Sequence, residues 1–154
     1  MKGLLEIFID GASKGNPGEA SVGVILKQDQ KTIKEIAKTI GQATNNVAEY
    51  TALIYALKEA TFLKSQELKV YTDSSLLYNQ ILGNYQVKNE NIKKLFDQVA
   101  SLARGFKKIE LKYIPREKNK EADKLASSVF KKKQAKMVAP TFYHVGEESP
   151  SSAG

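Results

Sequence analysis

Leu4-Leu5-Glu6-Ile7-Phe8-Ile9-Asp10 runs directly into Gly11-Ala12-Ser13-Lys14-Gly15-Asn16-Pro17-Gly18. The first seven residues read as a strand with apolar side chains on both faces, and such a strand belongs in the middle of its sheet. An acid closes it, and the stretch 11–18 behind it reads as a turn-rich loop. Working outward, 21–27 is a second strand, with Val22, Val24 and Leu26 alternating against Gly23 and Ile25. The polar break Gln28-Asp29-Gln30 predicts a hairpin into a third strand over about 32–40, whose Ile33, Ile36 and Ile40 fit the alternation poorly.

Recurrence of Val47, Tyr50, Ile54 and Leu57 at helical spacing predicts a helix over 44–63. A short strand at 68–72 follows, then helices over 74–82 and 91–104, each stopped by a glycine (Gly83, Gly105). Residues 108–114 alternate cleanly, as a half-buried edge strand does. Asn119 is placed to cap a last helix over about 120–132, with Ala122, Leu125, Ala126 and Val129 on one face. The order is βββ-α-β-α-α-β-α, an α/β chain with no internal repeat. The pattern covers 1–133, and 134–154 reads as a C-terminal tail.

The 154 residues carry 24 basic and 17 acidic side chains, a formal net charge of +7. That balance suits a polyanionic partner such as nucleic acid, or equally a soluble surface. No apolar run is long enough to span a bilayer, so no membrane partner and a cytoplasmic location are expected. There is no cysteine, which excludes disulfides, thiolate metal sites and thiol catalysis, and His144 is the one histidine.

Four acids stand where chemistry would need them, and each also has a local explanation. Asp10 could bond its own turn. Glu49 follows Asn46 by three residues, as in a capping box, yet it heads the close-packing stripe Ala52, Leu53, Ala56, Ala60. Asp73 stands where an N-cap is common, and Asp123 where a carboxylate suits the helix dipole. Together they fall at strand ends and helix first turns, where ligands bind in sheets flanked by helices. Four oxygen donors there, with no histidine or cysteine, suit hard cations such as Mg²⁺ or Mn²⁺.

The blocks Ile9–Gly18, Thr44-Asn45-Asn46-Val47-Ala48-Glu49, Tyr71-Thr72-Asp73-Ser74 and Asn119-Lys120-Glu121-Ala122-Asp123-Lys124-Leu125-Ala126 resemble, in order, the four motif blocks of type 1 ribonuclease H. The likeness covers about residues 4–130. It implies a five-stranded mixed sheet, three antiparallel strands and then parallel ones, flanked by helices. It implies a metal-dependent endonuclease that cuts the RNA strand of RNA–DNA hybrids to 5′-phosphate and 3′-hydroxyl ends by a two-metal-ion mechanism. Asp10 would be shared by two Mg²⁺ ions, with Mn²⁺ as a substitute; Glu49 and Asp73 would complete one site and Asp123 the other. Gly11, Ser13, Asn16, Thr44, Asn45 and Asn46 would contact the duplex, the amides reading 2′-hydroxyls and Thr44 lying near a DNA phosphate. Double-stranded RNA is a second duplex to test, and nothing in the sequence demands a protein partner.

Three features depart from that pattern. The segment Tyr113–Asn119 lacks the histidine many members carry there, and Arg116 is its natural stand-in, able to hold a phosphate but not to act as a base. The stretch 82–89 is too short for the basic insertion some members use on the DNA strand, a loss that Lys131, Lys132, Lys133 and Lys136 would partly offset. Phe142, Tyr143 and His144 make the tail unusually apolar, as if it docks on the domain or on a partner. The competing readings are a non-catalytic duplex-binding module and a nuclease of the same broad fold acting on DNA. A phosphate-binding P-loop is rejected, since 11–18 lacks the Lys-Ser/Thr ending.

Overall fold

A computed structural model describes residues 3–130. Its strands are β1 (Leu4–Ser13), β2 (Gly18–Gln28), β3 (Lys31–Ala43), β4 (Glu67–Thr72) and β5 (Lys108–Tyr113). Its helices are α1 (Asn45–Phe62), α2 (Ser75–Ile81), α3 (Glu90–Ala103) and α4 over 120–130, preceded by a 3₁₀ turn at Arg116–Lys118. The strands form one sheet in the order β3-β2-β1-β4-β5. β1 and β2 pair antiparallel, as do β2 and β3; β1, β4 and β5 run parallel. The first strand is therefore central, as its two apolar faces demand.

Alternation divides β1 between two layers. Leu5, Ile7 and Ile9 are fully buried in the core that α1 closes. Phe8 points the other way and stacks on Tyr71 of β4, ring centroids 4.4 Å apart. α1 packs between the sheet and α3, which is why it is buried on several sides, from Ala48 and Tyr50 to Leu57 and Ala60. α4 crosses the opposite face of β1 and β2. There a Cβ on Gly23 would lie 2.4 Å from the Ala122 carbonyl oxygen, and the Ser21 hydroxyl donates to the Ala126 carbonyl at 2.6 Å.

The boundaries shift where pairing overrides composition. β1 does not stop at Asp10: Gly11, Ala12 and Ser13 pair with Val22, Ser21 and Ala20, so the expected loop shrinks. The hairpin turn is two residues, Asp29 and Gln30, both with positive φ (51° and 66°), the conformation that matches strand twist. β3 is longer than expected because β2 pairs with it from Gln28↔Lys31 to Gly18↔Ala43. Its irregular isoleucines have a physical cause. The register skips Ile33 and Ile40, each the extra residue of a bulge, while Ile36 faces Val24.

Among the described residues no helix is long and apolar enough to cross a membrane. The expected end of α4 past 130, the lysines at 131–133 and 136, and the tail with Phe142, Tyr143 and His144 lie outside the described residues.

Candidate metal centre and nucleic-acid face

The local explanation fails for Asp10, Glu49 and Asp73. Asp10 is not in a turn; it pairs with Gly23 within β1 and is only 5% exposed. The capping box does not form, because Thr44 caps α1, its hydroxyl accepting from Val47 N at 3.2 Å. Glu49 turns back to β1 instead, and its Oε1 accepts from Gly11 N at 2.9 Å. That bond requires β1 and α1 to touch, and a Cβ on Gly11 would sit 2.3 Å from the Ala48 carbonyl carbon. At the end of β4, Ser74 rather than Asp73 caps α2, accepting from Leu77 N at 3.1 Å. Asp123 lies in the first turn of α4 and its carboxyl hydrogen-bonds to that of Asp10.

Freed from local duty, the acids converge. One oxygen each from Asp10, Glu49 and Asp73 lie within 4.8 Å of one another; Asp123 stands outside that trio and acts on Asp10 from the first turn of α4. Such a group resists losing its protons. Burial lifts the Asp10 carboxyl from its ordinary 3.8 to about 8, the charges of Asp73 and Asp123 adding to the rise and Arg116 opposing it. Burial also raises Glu49, with Asp10 the next cause, and the Gly11 N–H pulls the other way. Arg116 is exposed in the 3₁₀ turn, and its charge acts on both Asp10 and Glu49. A hard divalent cation fits this donor set, since three carboxylate oxygens at that spacing supply charge and ligands with no competing nitrogen or sulfur.

Beside the acids, a second set of expected residues forms one rim. Ser13 is committed to the loop, donating to the carbonyls of Gly15 and of Ala43, the latter at 2.8 Å. Asn16 Oδ1 accepts from Asn45 N at 3.0 Å, tying the 14–17 loop to the start of α1. Asn46 donates to Gln80 Oε1 at 3.3 Å, and Gln80 also accepts from the Tyr50 hydroxyl at 3.1 Å. Neither Asn45 nor Asn46 caps the helix; the Asn46 Nδ2 is tied to Gln80, and its Oδ1 is buried with no hydrogen-bond partner among the described residues.

Two residues with a part in the site were not legible as such. Gln80 gives no signal of its own, because nothing local says that α2 faces the start of α1. Asn119 reads as a helix cap, but its amide donates to the Ile9 carbonyl at 2.8 Å and to Asp73 Oδ2 at 3.0 Å. The signal was its spacing of four residues from Asp123, within the last motif block.

Acids within the second half of β1 and just after β4, in a β3-β2-β1-β4-β5 sheet, define a ribonuclease H-like fold with a carboxylate cluster suited to metal. The family model described as reverse transcriptase-like matches residues 8–129. A bifunctional protein of Mycobacterium tuberculosis is 39% identical over 158 residues, covering all of this chain. The chain spans only 43% of that relative's length. The crystal structure of RNase H1 from Halobacterium salinarum superposes with a TM-score of 0.82 at 35% identity, covering 84% of this chain and 99% of that one. LC11-RNase H1 in complex with an RNA/DNA hybrid gives 0.76 at 36% identity, covering 80% and 94%. The chain belongs to the type 1 ribonuclease H family.

Proposed function

We propose that the chain is a metal-dependent endonuclease that hydrolyses the RNA strand of RNA–DNA hybrids, leaving 5′-phosphate and 3′-hydroxyl ends. The observation that carries this is the meeting of Asp10, Glu49 and Asp73 within 4.8 Å beside a rim built from Asn16, Asn45 and Asn46. A relative 36% identical was crystallised on such a hybrid, which supports the same substrate here.

Asp10, Glu49 and Asp73, with Asp123 beside Asp10, are the residues that would hold Mg²⁺, two ions in the full arrangement, with Mn²⁺ as a substitute. When bound, the ions supply an activated water and neutralise charge on the leaving oxygen. The residues of the chain do the rest. The Gly11 N–H orients the Glu49 carboxylate across the β1–α1 contact. Arg116 offers a permanent positive charge for a phosphate without taking a proton. Asn16, Asn45 and Asn46 present amides to 2′-hydroxyls, the group that separates RNA from DNA, with Gly11, Ser13 and Thr44 completing the contact surface.

The test is cleavage of an end-labelled set: RNA–DNA hybrid, double-stranded RNA, DNA duplex and single-stranded RNA, each with Mg²⁺, with Mn²⁺ and with chelator. Metal-dependent cuts confined to the RNA of the hybrid are expected. Binding without cutting would replace this reading with a duplex-binding module, and cuts in DNA would change the substrate.

A further inference from the structure

A residue just ahead of a helix ordinarily caps it, an asparagine oxygen accepting from a backbone N–H of the first turn. Asn119 precedes α4 and does not do this with its side chain. Its Oδ1 is buried without a hydrogen-bond partner among the described residues. Its Nδ2 spends both N–H groups elsewhere, on the Ile9 carbonyl and on Asp73 Oδ2. The reverse amide orientation would set Oδ1 against a carbonyl and a carboxylate, acceptor facing acceptor, so chemistry fixes the one observed. A buried acceptor left unpaired is costly. The fold tolerates that cost at a residue only 2% exposed.

We propose that Asn119 is the positioning residue of the carboxylate centre, fixing Asp10, Asp73 and Asp123 relative to one another. Three links converge on it. The Ile9 carbonyl belongs to the residue before Asp10 and lies 110 positions away in the chain. Asp73, 46 positions away, is held directly by a neutral donor that orients its carboxylate without adding charge. The Asp123 N–H donates to the Asn119 carbonyl at 3.1 Å, one helical turn on. One residue thus ties β1 and the β4–α2 junction through its side chain, and α4 through its backbone carbonyl, at the acids each carries. Groups that orient metal ligands are worth about 10–100-fold in metal affinity or activity.

The inference rests on the metal-dependent activity proposed above, and its test separates the two. Asn119→Ser places a residue well suited to a helix start but is too short to bridge Ile9 and Asp73. Asn119→Asp keeps the shape and removes both donors. Each is compared with the unmodified protein by thermal melting, by Mn²⁺ affinity of the free protein from electron paramagnetic resonance, and by kcat and KM on the hybrid. Both variants are expected to fold. We expect Mn²⁺ affinity of Asn119→Ser to fall about tenfold and kcat of both variants about 100-fold, with KM changed less than about threefold. Mn²⁺ affinity and kcat within about twofold of the unmodified protein would show that Asn119 does not position the acids and overturn the proposal. If Asn119→Ser does not fold, kcat of Asn119→Asp decides on the same terms. Failure of both to fold overturns it too, since Asn119 would then hold the fold rather than the site. If the unmodified protein binds Mn²⁺ but cuts no hybrid, the activity is refuted while the Mn²⁺ comparison still judges Asn119.

Discussion

Replacing Asp10 by asparagine removes a charge that burial and the neighbouring acids make costly. The Asp10 carboxyl titrates near 8 in the folded protein and at an ordinary 3.8 outside it, burial being the main cause and Asp73 and Asp123 the next. Between those values the folded state holds a proton that the unfolded chain has lost, so stability falls as pH rises through the window. At ~1.4 kcal/mol per pH unit the penalty at pH 7 is at most about 4 kcal/mol. Glu49, also raised by burial and by Asp10, carries part of that penalty, so we expect Asp10→Asn to gain about 2 kcal/mol at pH 7 in chelator. For a chain of this length that is a rise of about 6 °C in Tm. The gain should vanish near pH 4, grow up to about pH 8 and then level off. Added Mg²⁺ should stabilise the unmodified protein and not the variant, narrowing the gap. Turnover on the hybrid should drop at least about 10³-fold. The assay is thermal melting followed by circular dichroism from pH 4 to 9, with and without Mg²⁺. Equal melting temperatures at pH 8 in chelator would refute the claim that Asp10 is held in a buried, mutually repelling cluster.

Metal affinity should carry the same proton: below about pH 8 Asp10 must lose one to bind, so Mn²⁺ affinity should rise by up to about tenfold per pH unit. Calorimetry in buffers of different ionisation enthalpy counts the protons released, and a count of zero at pH 6.5 would contradict the picture. Gly11→Ala should destabilise by about 3 kcal/mol in urea unfolding and cut activity, because its Cβ falls 2.3 Å from the Ala48 backbone where β1 meets α1. Ser74→Ala should cost about 1 kcal/mol as a lost cap and leave kcat close to unchanged. Asp73→Asn should instead abolish turnover with the fold intact. If the two variants exchanged those effects, the division of labour between neighbours 73 and 74 would be wrong.

The element order needed only the sequence. Apolar residues on both faces of 4–10 mark a central strand, and that strand lies between β2 and β4. Periodicity is a property of consecutive residues, so it was legible for α1, α3 and β5 as well. The four motif blocks likewise named the acids, because each block is local.

What the residues near each acid could not reveal was whether that acid was free. Asp73, Glu49 and Asp10 all stand where helix caps and turns use such side chains, and composition gives both uses equally. The choice fell to their neighbours in space: Thr44 and Ser74 took the caps, and pairing with β2 carried β1 past Asp10. Asn119 shows the reverse case, a residue in a capping position drawn away by Ile9 and Asp73, which only folding brings to it. The bulges at Ile33 and Ile40 belong to the same class, since a register skip exists only between two strands. Local chemistry thus set what each residue is able to do. Contacts between residues tens of positions apart selected which of those abilities is used, because a hydrogen bond or a buried charge depends on what packs against it.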